Sequence, residues 1–458
     1  MTFERALRRG VAACACALVV AAFGGGAGGA AAAASGEPRG QAVAHREGGR
    51  TIDAGRLPSV KTWSIDHPAA EPTLGVAKNG DVFYAAADLA TALGVDVMRS
   101  RDRGRSWEVV SPQLGGANVH ASTGDPYVYV DRTSAGSRVF TVDLQGYVCS
   151  LLSFSDDGGE SWVTNPLGCG RPVNDHQTVF AGPPVESPTL GYPNVVYYCY
   201  QDVASSTCSK SLDGGVTFVP AGGTSFSGFD DGGTFCGGLH GHGFAGPDGT
   251  IYIPKGHCGF PWLAISKDEG ATWARVQVAE LASADHEASV AADARGNVYY
   301  AYIASDKLPY LVVSRDGGET WGNPMMVGRP GVVEASLPSL DARGGLVVFG
   351  YMGTQDRPQG DDYSRVEWDG YVTATRTALA RRPLFYSVSV NPPADPLLRG
   401  TCPQTKCGPV YDFIDVVVAP DGGAWGAFVD GCVTVCAKAE GAPNDGSNGL
   451  AAEIRVPR

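Results

Sequence analysis

Basic charge is scarce in this chain of 458 residues: 35 Lys and Arg stand against 48 Asp and Glu, a formal net charge of −13. A nucleic-acid backbone demands a basic surface, so the deficit excludes nucleic acid as a partner. Long apolar runs are also missing. Beyond the first 34 residues no segment approaches the length that spans a bilayer, so no membrane span is expected in the mature chain. With 43% of residues hydrophobic and 18% charged, disorder is excluded as well, and a large core can be buried. Histidine is rare, eight in all, which gives weight to any place where several gather.

Residues 1–34 read as an export signal. Arg5, Arg8 and Arg9 form its basic region, residues 11–23 its apolar region, and a run of alanines ending at Ser35 supplies small residues for cleavage. Residues 35–54 read as a flexible glycine-rich segment and 55–458 as one domain. The leader takes Cys14 and Cys16 with it, so twelve cysteines become ten, an even number. A secreted, extracellular chain with disulfides is expected. Proximity pairs Cys149 with Cys169, Cys199 with Cys208 and Cys236 with Cys258; Cys402, Cys407, Cys432 and Cys436 form two further bridges of open connectivity. A monomer is expected.

The stretch from Ser314 to Trp321, SRDGGETW, recurs as SRDRGRSW from Ser100, SDDGGESW from Ser155, SLDGGVTF from Ser211 and SKDEGATW from Ser266. Short apolar runs flank these octads, as strand, turn and strand. The glycines supply positive φ, and the carboxylate two residues after the serine accepts backbone N–H groups across the bend. The octad acids Asp102, Asp157, Asp213, Asp268 and Asp316 are therefore turn-formers. A second hairpin precedes each octad, as in residues 242–254 and 288–302. Four strands per period of about 50 residues is the signature of a propeller blade. Inner hairpins begin near residues 72, 120, 175, 241, 287, 336 and 415, which predicts an all-β, seven-bladed β-propeller with almost no helix; six blades is the alternative. Residues 368–379 and 383–392 serve as outer strands of blade six.

The octads resemble the Asp-box, or BNR repeat, of the sialidase-like superfamily, over roughly residues 60–458. The resemblance implies a propeller whose Asp-boxes lie on the side away from substrate. It also implies, for a sialidase, an arginine triad, an aspartate acid/base and a tyrosine nucleophile activated by glutamate. Lys61 stands in SVKTW where an opening arginine is sought, and arginines are scarce before the inner strands, so no sialidase triad is recognisable. Tyr411 stands where such a tyrosine nucleophile could lie.

Residues at the mouth of each innermost strand converge around the propeller axis. They are Asp66, His67 and Glu71 for blade one; Asp175 and His176 for three; His240 and His242 for four; Asp285, His286 and Glu287 for five; Glu334 for six; Asp412 and Asp415 for seven. Lys255 and His257 are expected in a loop on the same face. Three functions follow. A sialidase-like glycoside hydrolase would act on an extracellular glycan or glycoprotein with Asp175, Glu287, Glu334, Tyr411 and Asp412 as catalytic candidates and Lys255, His257 and His240 binding substrate. That reading needs no cofactor. A metal-assisted polysaccharide lyase or hydrolase would hold a divalent ion with His242 and His286. A non-catalytic propeller would bind a glycan or protein at its rim. The competing reading of each single residue is that it caps a strand end and bonds the neighbouring blade.

Overall fold

The computed structural model describes residues 42–88, 94–113, 125–132, 136–167, 173–202, 205–227, 239–284, 287–360, 362–392, 394–400, 402, 407–438 and 442–458. Among them the only helical turns are Glu47–Gly49 and Gly408–Val410. The strands form seven antiparallel sheets: six have four strands, and the sheet built on Glu334–Arg343 has seven. Innermost strands are Thr73–Val76, Tyr127–Asp131, Asp175–Gly182, Phe244–Ala245, Ser289–Ala292, Glu334–Arg343 and Asp415–Val418. Each packs on the next and the last packs on the first, which closes a propeller ring. Between sheets lie apolar seams, such as Phe83, Val97, Val128 and Val139 between blades one and two.

Two features close the ring. The outer strand of blade seven is the early segment Ser59–Pro68, paired with Asn448–Arg455 near the chain's other end. At the axis, each innermost strand has an open edge, and side chains of one blade accept the N–H groups of the next. Thr73 Oγ1 accepts from Val128 N (2.8 Å), Thr178 Oγ1 from Gly243 N (3.1 Å) and Ser289 Oγ from Leu340 N (2.9 Å). Ser339 Oγ accepts from Val416 N (3.0 Å), and Asp415 Oδ2 from Leu74 N (2.9 Å). Between blades four and five the backbones themselves approach: a Cβ on Gly241 would fall 1.7 Å from the Ala288 carbonyl oxygen. Only glycine fits there.

All five octads join the third strand of a blade to the fourth, at the end of the ring opposite the strand mouths. Their chemistry is uniform. In blade four, Ser266 Oγ donates to Asp268 Oδ1 (2.8 Å) and accepts from Gly270 N (2.8 Å), while Asp268 Oδ1 accepts from Thr272 N (2.9 Å). The fifth octad residue is glycine with φ between +85° and +102° in every copy. Two of the closing tryptophans reach the preceding blade: Trp162 Nε1 donates to Val110 O (2.7 Å) and Trp273 Nε1 to Gly223 O (3.1 Å).

Cys199 bonds Cys208, Cys402 bonds Cys407 and Cys432 bonds Cys436, which settles the last four cysteines. Cys149 and Cys258 are also disulfide-bonded; their expected partners, Cys169 and Cys236, lie outside the described residues. One expectation is corrected. Of the segment read as flexible, Ala42–Arg46 and Arg50–Ile52 form a hairpin on the edge of blade six, through Phe385–Ser389. The cause is burial of His45, which is 0% exposed, sits 2.7 Å from Ser387 Oγ through Nε2 and stacks on Phe385. No helix among the described residues is long and apolar enough to cross a membrane.

Two substitutions separate axis from rim. Ser339→Ala removes one of the two acceptors of the buried Val416 N–H, the other being Asp415 Oδ1 (2.8 Å), together with the hydroxyl that donates to Asp415 Oδ1 (3.0 Å), and should lower stability by about 1–3 kcal/mol in urea denaturation. Asp268→Ala, in a partly exposed turn, should cost roughly 1 kcal/mol. A rim variant as damaging as the axial one would show that the axial hydrogen bonds are not what holds the ring.

Candidate functional site

The mouths of blades one, two and three share a backbone device. Glu71, Asp125 and His176 each take positive φ (51°, 55° and 50°), a conformation that few non-glycine residues adopt. It turns each backbone N–H toward the preceding blade. Asp125 N donates to Glu71 Oε2 (2.6 Å), and His176 N to Asp125 Oδ2 (3.0 Å). These acids thus cap neighbours, as the structural reading of the sequence requires, and the capping draws their carboxylates to the axis. Asp412 joins them from blade seven: Glu71, Asp125 and Asp412 are all buried, and each offers one oxygen within 4.8 Å of the others.

Beside this trio, His176 Nε2 stands 3.1 Å from Glu287 Oε1, both side chains almost wholly enclosed. Burial opposes charging the imidazole, but Glu287, aided by Asp125 and Asp175, outweighs it and lifts the pKa to about 10. His176 is therefore an imidazolium. Burial, and then repulsion from that cation, push His240 and His242 down to about 3, so both are neutral. The three imidazoles lie together: His176 stacks on His242 at 5.6 Å and meets His240 edge-on at 6.1 Å, with Phe413 packed against His176 and His242. Asp175, partly exposed at the mouth, is raised to about 7 by burial and by the Asp125 carboxylate.

Tyr411 is 37% exposed, with φ 66° and ψ −123°, an unfavourable backbone conformation for a tyrosine. The Cys402–Cys407 bridge and the bond from Cys407 N to Tyr411 O (2.9 Å) hold it beside Asp412. Below the cluster the axial cavity is about 170 Å³, lined by Tyr127, His242, Ser339 and Asp415 and, farther in, by Arg132 and Arg343. That is smaller than pockets that enclose small-molecule ligands, about 300 Å³ and up.

Other candidates lie elsewhere. Glu334 does not join the trio: its carboxylate is engaged by Lys307 Nζ (3.1 Å) and Tyr363 OH (3.0 Å). Blade six is bulged between Ser336 and Ser339, so Leu337, with φ 57°, occupies the position held by acids in blades one and two. Lys255 and His257 belong to the strand Ile251–His257, not to a loop, because residues 255–257 continue the ladder with 260–262. Both are buried, Lys255 Nζ over Phe226 at 5.5 Å and the His257 ring 5.4 Å from it. Asp285 and His286 lie outside the described residues. Asp125 and Phe413 are the additions; the acid–proline pair of Asp125 and Pro126, matching that of Glu71 and Pro72, is the signal that marks Asp125.

No protein-family model matches the chain, and no curated protein does. Several solved structures resemble it in shape. A Hadza microbial sialidase is 14% identical, covering 72% of this chain and 68% of that one, with a TM-score of 0.43. A leech intramolecular trans-sialidase is 13% identical over 86% and 68%, TM-score 0.43. The Aleuria aurantia lectin is 11% identical over 70% and 94%, TM-score 0.41.

The His176–Glu287 pair predicts a pH-dependent contribution to stability. The folded pKa of His176 is raised above the unfolded value of about 6.5, so the pair's contribution is complete below about pH 6.5 and is lost as pH rises through about 10. Glu287→Gln should cost about 3 kcal/mol at pH 6, where it strands a buried charge, and the gap to the parent should narrow toward pH 10. A gap constant from pH 6 to 10 in denaturant melts would refute the charged pair.

Proposed function

We propose that this chain is an extracellular propeller that hydrolyses a glycosidic bond at the mouth of its ring. One observation carries the reading: Asp175 is a carboxyl held near neutrality, at about 7, at the rim of a group of buried carboxylates. General acid catalysis works best when the acid's pKa lies near the working pH, and pairing such an acid with a second carboxylate is the chemistry of glycoside cleavage. In this reading Asp175 protonates the departing glycosidic oxygen. Asp412, beside the exposed Tyr411, supplies the second carboxylate, as base or nucleophile. Glu287 has a different role: it fixes the His176 imidazolium, whose charge steadies the carboxylates around it. The disulfides support an extracellular setting, where oxidised cysteines persist.

A second reading rests on Glu71, Asp125 and Asp412. Three carboxylate oxygens from three blades within 4.8 Å suit a hard cation such as Ca²⁺ or Mg²⁺. The ion would assist bond cleavage by neutralising charge at the mouth. His242 and His286, the ligands expected from sequence, are not in this trio.

A panel of sialosides, neutral glycosides and acidic polysaccharides, assayed with and without chelator, separates the two. Under the first reading Asp175→Asn stays folded and loses at least about a hundredfold in kcat. The parent's rate falls above about pH 7 as Asp175 deprotonates, and chelator has no effect. Under the second, chelator abolishes turnover and added Ca²⁺ or Mg²⁺ restores it. Parent-level turnover by both Asp175→Asn and Asp412→Asn would reject the mouth as the reacting site.

A further inference from the structure

Away from the axis, a second cluster lies where the closing strand meets blade one. The strand Ser59–Pro68 slips register between Ser64 and Pro68, and Asp66 within the slip takes φ 55°. Bulges of this kind re-aim side chains. Here the slip carries His67 out of the ladder toward blade one, where its Nε2 reaches 3.2 Å from Asp96 Oδ2. Asp96 and Asp88 belong to one hairpin of that blade, with Asp96 opposite Ala86 and Asp88 opposite Gly94. They are diagonal neighbours on one face, an arrangement that like charges disfavour without a counter-charge.

We infer that His67, Asp88 and Asp96 form a binding site for a transition-metal dication of the zinc or manganese class, which clips the closing strand to the first blade. Each residue offers one ligand atom, and the three atoms lie within 4.8 Å of one another. Two ligands bonded at about 2.1 Å to one ion stand roughly 3.0–3.4 Å apart in octahedral or tetrahedral geometry, and the His67–Asp96 contact falls in that interval. Outer hydrogen bonds orient both ligands as metal sites require. His67 Nδ1 lies 2.9 Å from Pro68 O, which fixes the proton there and turns the Nε2 lone pair inward. Ser111 Oγ donates to Asp96 Oδ1 (2.9 Å) and so aims Oδ2 at His67 Nε2. Without an ion, Asp96 raises the His67 pKa and the two form an ion pair; an ion that displaces the Nε2 proton meets a neutral imidazole and two carboxylates, the charge a dication cancels. The imidazole favours Zn²⁺ over Ca²⁺ and Mg²⁺, and the two carboxylates also admit Mn²⁺. His67 and Asp96 keep 22% and 13% side-chain exposure, which leaves a path for the ion.

The test uses the untagged full chain, stripped with chelator and dialysed. Mn²⁺ binding is followed by electron paramagnetic resonance, and melting temperature is followed with added Zn²⁺. The site predicts one bound Mn²⁺ that disappears in His67→Ala and in Asp96→Asn but persists in Glu71→Gln. It predicts a Zn²⁺-dependent rise in melting temperature that the same two variants abolish. Ser111→Ala, which touches no ligand atom, should weaken binding about 10–100-fold, and it decides the matter if the ligand variants do not fold. Mn²⁺ binding only in the millimolar range, a stoichiometry unchanged in His67→Ala, or full affinity in Ser111→Ala would each overturn the assignment.

Discussion

An innermost strand of a propeller has a sheet partner on one side only, so its other edge presents N–H groups that must find acceptors where the ring is narrowest. In this chain the acceptors are short side chains of the preceding blade: Thr73, Thr178, Ser289, Ser339 and Asp415. Buried N–H groups left unpaired cost more than most single contacts return, so these few bonds fix the rotation of each blade against the next. The seams of Phe, Val and Ala between sheets then pack at a spacing already set. Asp415, raised to about 7 chiefly by burial, illustrates the tension, because the group that completes the ring is itself costly to bury as an anion.

The same device produces the candidate site. Glu71 and Asp125 are drawn to the axis because each accepts the N–H of the next blade's strained residue. Once carboxylates crowd there, their field determines what the neighbouring groups become. His176 is charged because Glu287 faces it, burial and then the charge on His176 keep His240 and His242 neutral, and burial and then Asp125 raise Asp175 to about 7. A capping network and a reactive site are thus two descriptions of one set of atoms.

Much of the fold was legible because its cues are local. An octad carries its own turn, with glycine at the position that demands positive φ and a carboxylate two residues after serine, so five blades announce themselves. Blade six lacks the octad but keeps its outer strands at Glu367–Thr375 and Phe385–Ser389, within the apolar stretches that suggested them. The site was legible only in part, because convergence depends on register. Glu334 begins its strand as expected, yet a bulge three residues on hands the axial position to Leu337. Lys255 and His257 sit in a sequence rich in glycine and proline that reads as a loop, but pairing across 255–257 extends the strand and buries them. The hairpin at Ala42–Arg46 was hidden for a similar reason: its partner lies more than 300 residues away.

The pairing of Ser59–Pro68 with Asn448–Arg455 also has a consequence in time. As the polypeptide lengthens, the early strand has no partner until the last blade exists, and loop closure over nearly the whole ring is slow compared with forming any single hairpin. Until then two sheet edges stay open, the kind of surface that recruits strands from other molecules. A chain that stops short of its final strand is therefore more than a propeller missing one strand. It keeps an adhesive edge at each side of the gap, so premature termination should channel the product toward aggregates, while the completed ring, with no free blade edge at that seam, resists opening from either side.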